Sequence, residues 1–150
     1  MAWVEKIAVD WDHWNWSGWL ARPLPDAVLA RTAQDQDAFD VRFFEDLLAR
    51  FGDQYEVLAA LGELYTRTGR HREGLAVDRR LAALRPRDST VLYNLACSLA
   101  LLNQKSHAFD ALRRAVELGY RDHEHMASDP DLESLRGDPR WADLLGVIKS

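Results

Sequence analysis

His123-Glu124-His125, with Asp129 close behind, is the tightest gathering of metal-capable side chains in the sequence. Imidazole and carboxylate are ligands that zinc and similar ions take. On a helix, however, a His-x-His pair points its rings about 200° apart, so only an extended segment brings both to one ion. The reading adopted is a polar surface patch, and no metal or other cofactor is expected. Cys97, the only cysteine, stands among Leu95, Ala96 and Leu99, where a thiol is buried and inert. No Gly-rich phosphate loop, Gly-x-Ser-x-Gly or His-Glu-x-x-His occurs. The carboxylates are spread over amphipathic faces and nominate no acid and base in one pocket, so no enzyme is expected.

The remaining unusual chemistry is aromatic. Trp3, Trp11, Trp14, Trp16 and Trp19 crowd the first residues, ahead of the break at Arg22-Pro23-Leu24-Pro25. Each indole is a large apolar surface that is costly to leave in water. Two readings stand: the rings tuck against the first helices as a cap, or they dock as anchors into a partner or a neighbouring copy of the chain. Lys6 and Arg22 are too few to make the arm a basic membrane face.

The elements that position these residues follow from composition and period. The chain of 150 residues is 47% hydrophobic and 29% charged, with no apolar run long enough to span a bilayer. The net charge of -5 argues against nucleic acid as a partner. The start of the chain, through Asp10, shows none of the basic, apolar and small-residue zones of a secretory signal, so the cytoplasm is the expected compartment.

Shifting the chain by 34 lays residues 55–88 on 89–122. Identities fall at Val57/Val91, Leu58/Leu92, Leu61/Leu95, Arg79/Arg113, Arg80/Arg114, Leu84/Leu118, Arg87/Arg121 and Asp88/Asp122. Apolar residues recur every three or four places, as in Leu58, Leu61 and Tyr65 and then Leu75, Leu81 and Leu84, which specifies two amphipathic helices per unit. Thr68-Gly69 and Asn103-Gln104 interrupt at matching places with residues that tolerate the left-handed backbone of a helix end. A further step back places Asp37–Phe51 as a second helix, with a short first helix over Pro25–Arg31, each started by an Asp cap. After Asp122 the period fails, and Asp129-Pro130 and Asp138-Pro139 each signal a helix start. Leu132, Leu135, Trp141, Leu144, Leu145 and Ile148 are then placed to cover the edge of the last repeat.

This pattern of period, Leu61-Gly62, Tyr65 and Pro86 resembles the tetratricopeptide repeat. The run from Tyr93 through Glu117–Asp122 to Leu132 resembles the closing segment of bacterial proteins of that kind. Gly74 and Asp78 depart from the family pattern, which has Ala and an aromatic there. The resemblance implies an all-α fold: a short α-solenoid of antiparallel helix pairs, two to three repeats plus C-terminal capping helices. It divides the chain into a Trp-rich arm (1–24), a degenerate first repeat (25–54), repeats over 55–88 and 89–122, and a helical cap (123–150).

The same resemblance implies a protein-interaction adaptor, or a small subunit of a larger bacterial assembly, that binds a polypeptide in the concave groove. By family register the groove is lined in the first repeat by Glu56, Ala59, Glu63, Thr66 and Arg67. In the second it is lined by Thr90, Tyr93, Cys97, Ala100 and Leu101, with Asn94 beside them as the usual contact to a peptide backbone. Against that role for Asn94 stands a hydrogen bond to a neighbouring helix. Ala59 and Glu63 occupy the places of a carboxylate clamp's cations, so a basic or neutral segment is favoured. The alternative function is self-assembly, with the Trp-rich arm docked on a neighbouring copy.

Overall fold

The computed structural model describes residues 26–149, which divide between two units, 1–36 and 37–150. Of the first unit only 26–36 is described, all of it within helix α1 (Asp26–Phe51). The expected break between a short helix ending near Arg31 and another starting at Asp37 is absent. No Gly or Pro lies between Pro25 and Gly52, so nothing interrupts the hydrogen-bond ladder. Asp37 is therefore a mid-helix residue, and its carboxylate accepts a hydrogen bond from Arg67 Nη2 at 2.5 Å. Helix residues use their own carbonyls for i to i+4 bonds, which leaves the Asp37 side chain available for this longer-range pair.

The second unit continues with α2 (Tyr55–Arg67), α3 (His71–Leu84), α4 (Ser89–Leu101), α5 (Lys105–Glu117) and the short α6 (His123–Ser128). A 3-10 segment, Pro130–Leu135, and α7 (Pro139–Lys149) close it. Among the described residues there is no strand, and no helix is long and apolar enough to cross a membrane. Successive helices pack as neighbours: α2 on α3, α3 on α4 and α4 on α5. Short connections make each such pair antiparallel.

The 34-residue register reappears in the backbone. Gly69 has φ +73° and Asn103 has φ +57°, so both turns end their helices in the left-handed region. The next residue in each case donates its N–H back five places: Arg70 to the Tyr65 carbonyl and Gln104 to the Leu99 carbonyl, both at 2.8 Å. Asp88 and Asp122, identical under the shift, both cap helices. Asp88 Oδ1 accepts from the Thr90 and Val91 amides, and Asp122 Oδ1 accepts from the His125 amide. Such caps satisfy amide groups that have no partner inside the helix.

Two apolar clusters lie along the array. Val41 and Leu48 of α1 pack with Leu58, Leu61, Leu64 and Tyr65 of α2 and with Val77 and Leu81 of α3. The second cluster joins Leu92, Ala96 and Leu99 of α4 to Phe109 and Leu112 of α5 and to the C-terminal elements. There Met126, Leu132 and Leu135 are fully buried, and Trp141, Leu144 and Ile148 nearly so. Each fully buried leucine stabilises the fold by about 1.5–3 kcal/mol relative to exposure. The C-terminal elements are thus part of the core and not a loose appendage.

Candidate functional site

A groove of about 670 Å³ runs between α2, α3 and α4 and ends against α6 and the 3-10 segment. Its α2 wall carries Ala59, Ala60, Gly62, Glu63, Thr66 and Arg67, one face of the helix at spacings of three and four. Asp78 and Leu81 come from α3, and Tyr93, Asn94, Cys97 and Ser98 from α4. His125, Asp129 and Asp131 form the far end.

Of the residues that the family register nominated, Ala59, Glu63, Thr66, Arg67, Tyr93, Asn94 and Cys97 are brought together here. Glu56 and Thr90 stand exposed in the first turns of α2 and α4 and do not line the groove. Ala100 is buried and Leu101 half-buried. The Ala100 carbonyl accepts a hydrogen bond from Ser134 Oγ at 3.1 Å, so the 3-10 segment covers this end of α4. Trp3, Trp11, Trp14, Trp16 and Trp19 lie outside the described residues.

The two ends of the groove differ in chemistry. At the α2 side Glu63 and Arg67 are exposed. Arg67 is held by Asp37 at 2.5 Å and lies 4.0 Å from Glu63. At the α4 side Tyr93 is 3% exposed. Its ring stacks on Tyr120 with centroids 4.4 Å apart and 4° between planes, and the His125 ring leans on it at 5.5 Å. The Tyr93 hydroxyl donates to Asp129 Oδ2 at 2.6 Å, and the Cys97 thiol donates to the same oxygen at 3.7 Å. Burial, reinforced by the adjacent Asp129 carboxylate, pushes both the phenol and the thiol well above their ordinary pKa values. Cys97 is accordingly a poor nucleophile.

Asp129 is the organising residue of this end. Its Oδ1 accepts from the Asp131 amide at 3.0 Å and so starts the 3-10 segment. Its carbonyl accepts from Arg136 Nη2 at 2.8 Å, and His125 Nε2 lies 3.6 Å from Oδ2. His123 and His125 share only the short helix α6, and among the described residues no group of three His, Cys, Asp or Glu is placed to hold a metal ion.

Asp78 occupies the position where the repeat pattern has an aromatic. It is 7% exposed, and its Oδ2 accepts a hydrogen bond from Ser98 Oγ across the α3–α4 contact. Burial raises its pKa, and the Ser98 hydroxyl offsets part of that rise. Asp131 is raised too, first by burial and then by the neighbouring Asp129. Sequence reasoning missed Asp78, Ser98, His125, Asp129 and Asp131 as groove residues. Asp78 carried a signal in its departure from the family pattern, and His125 and Asp129 stood out as a polar cluster without any sign that they face the groove; Asp131 arrives through the fold-back of the closing segment, and Ser98 lies one place off the family register.

Comparison with known proteins bears on the fold. No family model matches the chain. Over 87 residues the chain is 33% identical to a chloroplastic protein of Arabidopsis thaliana, a stretch that makes up 56% of this chain and 26% of that protein. The chain thus spans about a quarter of the length of that relative. Among solved structures, a crystal structure of MamA superposes with a TM-score of 0.57 at 19% identity, covering 84% of this chain and 76% of the other. A fragment of MamA from Desulfovibrio magneticus RS-1 gives a TM-score of 0.57 at 14% identity, covering 81% and 71%. At these identities the likeness is one of architecture, and with the 34-residue register it makes this chain a tetratricopeptide-type α-solenoid with C-terminal capping helices.

Proposed function

We propose that the chain is a protein-interaction module that holds a segment of another polypeptide in the groove between α2 and α4, and that it carries out no catalysis. The observation that carries this reading is Asn94. It lines the groove, is exposed, and among the described residues its amide makes no side-chain hydrogen bond. An amide left open in a concave wall offers a donor and an acceptor to a peptide backbone. The competing role for Asn94, a bond to a neighbouring helix, has no such support. The groove's volume, about 670 Å³, suits several side chains of an extended segment.

The test is recovery of partners from native extract by the full chain and by Asn94→Arg, which fills the groove from an exposed position without touching the core. Loss of a partner with Asn94→Arg, and its retention with an outer-surface change such as Glu124→Gln, is the expected result. Unchanged recovery overturns the groove reading. Tyr93 is unsuitable for this test, because it is buried and braces Asp129.

A second reading, association between copies, is favoured by α1. Phe39 is 58% and Phe43 49% exposed, and their rings stack with centroids 6.3 Å apart. Aromatic surface of this kind is usually covered by something, and the Trp-rich arm of a neighbouring copy is the occupant that this reading names. Light scattering would show a concentration-dependent mass that Phe39→Ser with Phe43→Ser abolishes; a constant monomer mass removes the reading. We also read the run from Tyr93 through Glu117–Asp122 to Leu132 as the closing segment of bacterial tetratricopeptide proteins, a reading supported by the burial of Tyr93 and Leu132.

A further inference from the structure

We propose that the segment received by the groove is basic, and that its lysine or arginine side chains are drawn to the carboxylates of Asp78 and Asp131. This deepens the groove reading above and rests on it.

The argument is an accounting of charge. Among the described residues four carboxylates line the groove: Glu63, Asp78, Asp129 and Asp131. The one arginine among those lining residues, Arg67, is already held by Asp37 and lies beside Glu63. Asp129 has the Tyr93 hydroxyl, the Cys97 thiol and the His125 ring around it. Asp78 and Asp131 are less well provided. Among the described residues neither forms an ion pair, Asp78 receives only the Ser98 hydroxyl on Oδ2, and the ionisable groups near Asp131 are the Asp129 carboxylate, the Cys97 thiol and the His71 imidazole. The other oxygen, Asp78 Oδ1, lies 3.3 Å from where a Cβ on Gly62 would stand, and Gly62 also lines the groove. The absence of a side chain at Gly62 therefore leaves that oxygen approachable from the groove.

Carboxylates drawn out of water without a counter-charge are costly, and a cation entering the site recovers part of that cost. Lysine and arginine suit the place because their apolar stems can lie along Ala59, Ala60 and Leu81 while the charged tip reaches the acids. An acidic segment would meet four like charges and be repelled. A neutral segment would use Asn94 and the apolar wall but leave Asp78 and Asp131 unpaired.

Fluorescence anisotropy with three labelled decapeptides, alternating Lys-Ala, Glu-Ala and Ser-Ala, tests the inference on the full chain. The Lys-Ala peptide should bind most tightly and the Glu-Ala peptide not measurably. Asp131→Asn and Asp78→Asn should each weaken the Lys-Ala peptide about tenfold, the value of one well-placed charge pair of about 1.4 kcal/mol. Glu63→Gln, at an exposed position that does not affect folding, is the companion variant and should weaken it severalfold. Asp110→Asn with Glu124→Gln removes two carboxylates that do not line the groove and should leave binding unchanged.

Equal binding of the three peptides overturns the inference, as does an equal loss in the outer-surface variant, which would mean attraction to net charge alone. If the Ser-Ala peptide binds as well as the Lys-Ala peptide and both are lost with Asn94→Arg, the groove reading stands and the basic-segment inference falls. If binding of every peptide is indifferent to Asn94→Arg, both fall.

Discussion

The two repeats place matching residues on one helix face and then treat them differently. Ala59, Glu63 and Arg67 in α2 correspond under the 34-residue shift to Tyr93, Cys97 and Leu101 in α4. In the first repeat the charged members of that face stay in water. In the second, the equivalent face is occupied by the chain itself: Tyr120 and His125 lie on Tyr93, and Asp129 takes the protons of Tyr93 and Cys97 as hydrogen bonds. An identical helix register therefore yields an open wall in one repeat and, Asn94 apart, a covered one in the next. The apolar character of α4 explains the asymmetry, since a helix reading Val91, Leu92, Tyr93, Leu95, Ala96, Cys97 and Leu99 cannot face water on either side.

The contrast breaks most completely where the seal is anchored. Leu132 is fully buried in the 3-10 segment against the α4–α5 cluster. Leu132→Ala should cost about 3–5 kcal/mol by lost burial and the cavity left behind. Urea unfolding would show the midpoint falling with little change in slope. A cost below about 1 kcal/mol would mean that the closing segment rests on the array without sharing its core, and that the α4 wall opens readily. Leu84, 45% exposed at the end of α3, is the internal reference: Leu84→Ala should change stability by about 0.5 kcal/mol or less.

A smaller change sharpens the same contrast at one bond. Tyr93→Phe keeps the stack on Tyr120 but removes the hydroxyl that donates to Asp129 Oδ2. The expected cost is about 1–2 kcal/mol, because a nearly buried carboxylate loses a hydrogen bond that it accepts. In the background of Asp129→Ala, which removes the acceptor, the same change should cost much less, and a double-mutant cycle on thermal melts measures that coupling. Additive losses would show that Asp129 holds the segment through its capping of Asp131 alone.

Legibility followed locality. The turns that end α2 and α4 were readable because each is written in one or two residues, Gly69 and Asn103. Most of the α2 wall follows the family register, with Ala59, Glu63, Thr66 and Arg67 on the groove and Glu56 off it. Two things were not readable. The unbroken helix α1 was hidden because a repeat pattern suggested a turn where the chain carries no turn residue. The acidic end wall was hidden because Asp129 reaches Tyr93 and Cys97 across more than thirty residues of chain and brings Asp131 with it. The Asp129-Pro130 signature announces a helix start, yet nothing local says what that start will face.

The least costly probe lies where the two repeats meet. Asp78 of α3 and Ser98 of α4 form, among the described residues, the one buried polar pair across that contact, and burial raises the Asp78 pKa above its ordinary carboxylate value. A carboxyl whose folded pKa exceeds its unfolded one contributes stability that is full below the unfolded value and is lost as pH rises through the folded value. Asp78→Asn keeps the shape and an acceptor for Ser98 but cannot ionise. The variant should match the parent near pH 3–4 and exceed it increasingly as pH rises, by on the order of 1 kcal/mol at pH 7–8, visible as a Tm shift of a few degrees. Ser98→Ala should move the other way, since it removes the hydroxyl that Asp78 Oδ2 accepts from. A pH-independent difference between Asp78→Asn and the parent would show that Asp78 stays charged and solvated, with the α3–α4 contact as open to water as the α2 wall. A pH-dependent one would make this carboxylate a stability cost carried at the centre of the groove, the kind of cost that proteins keep where a ligand is to be met.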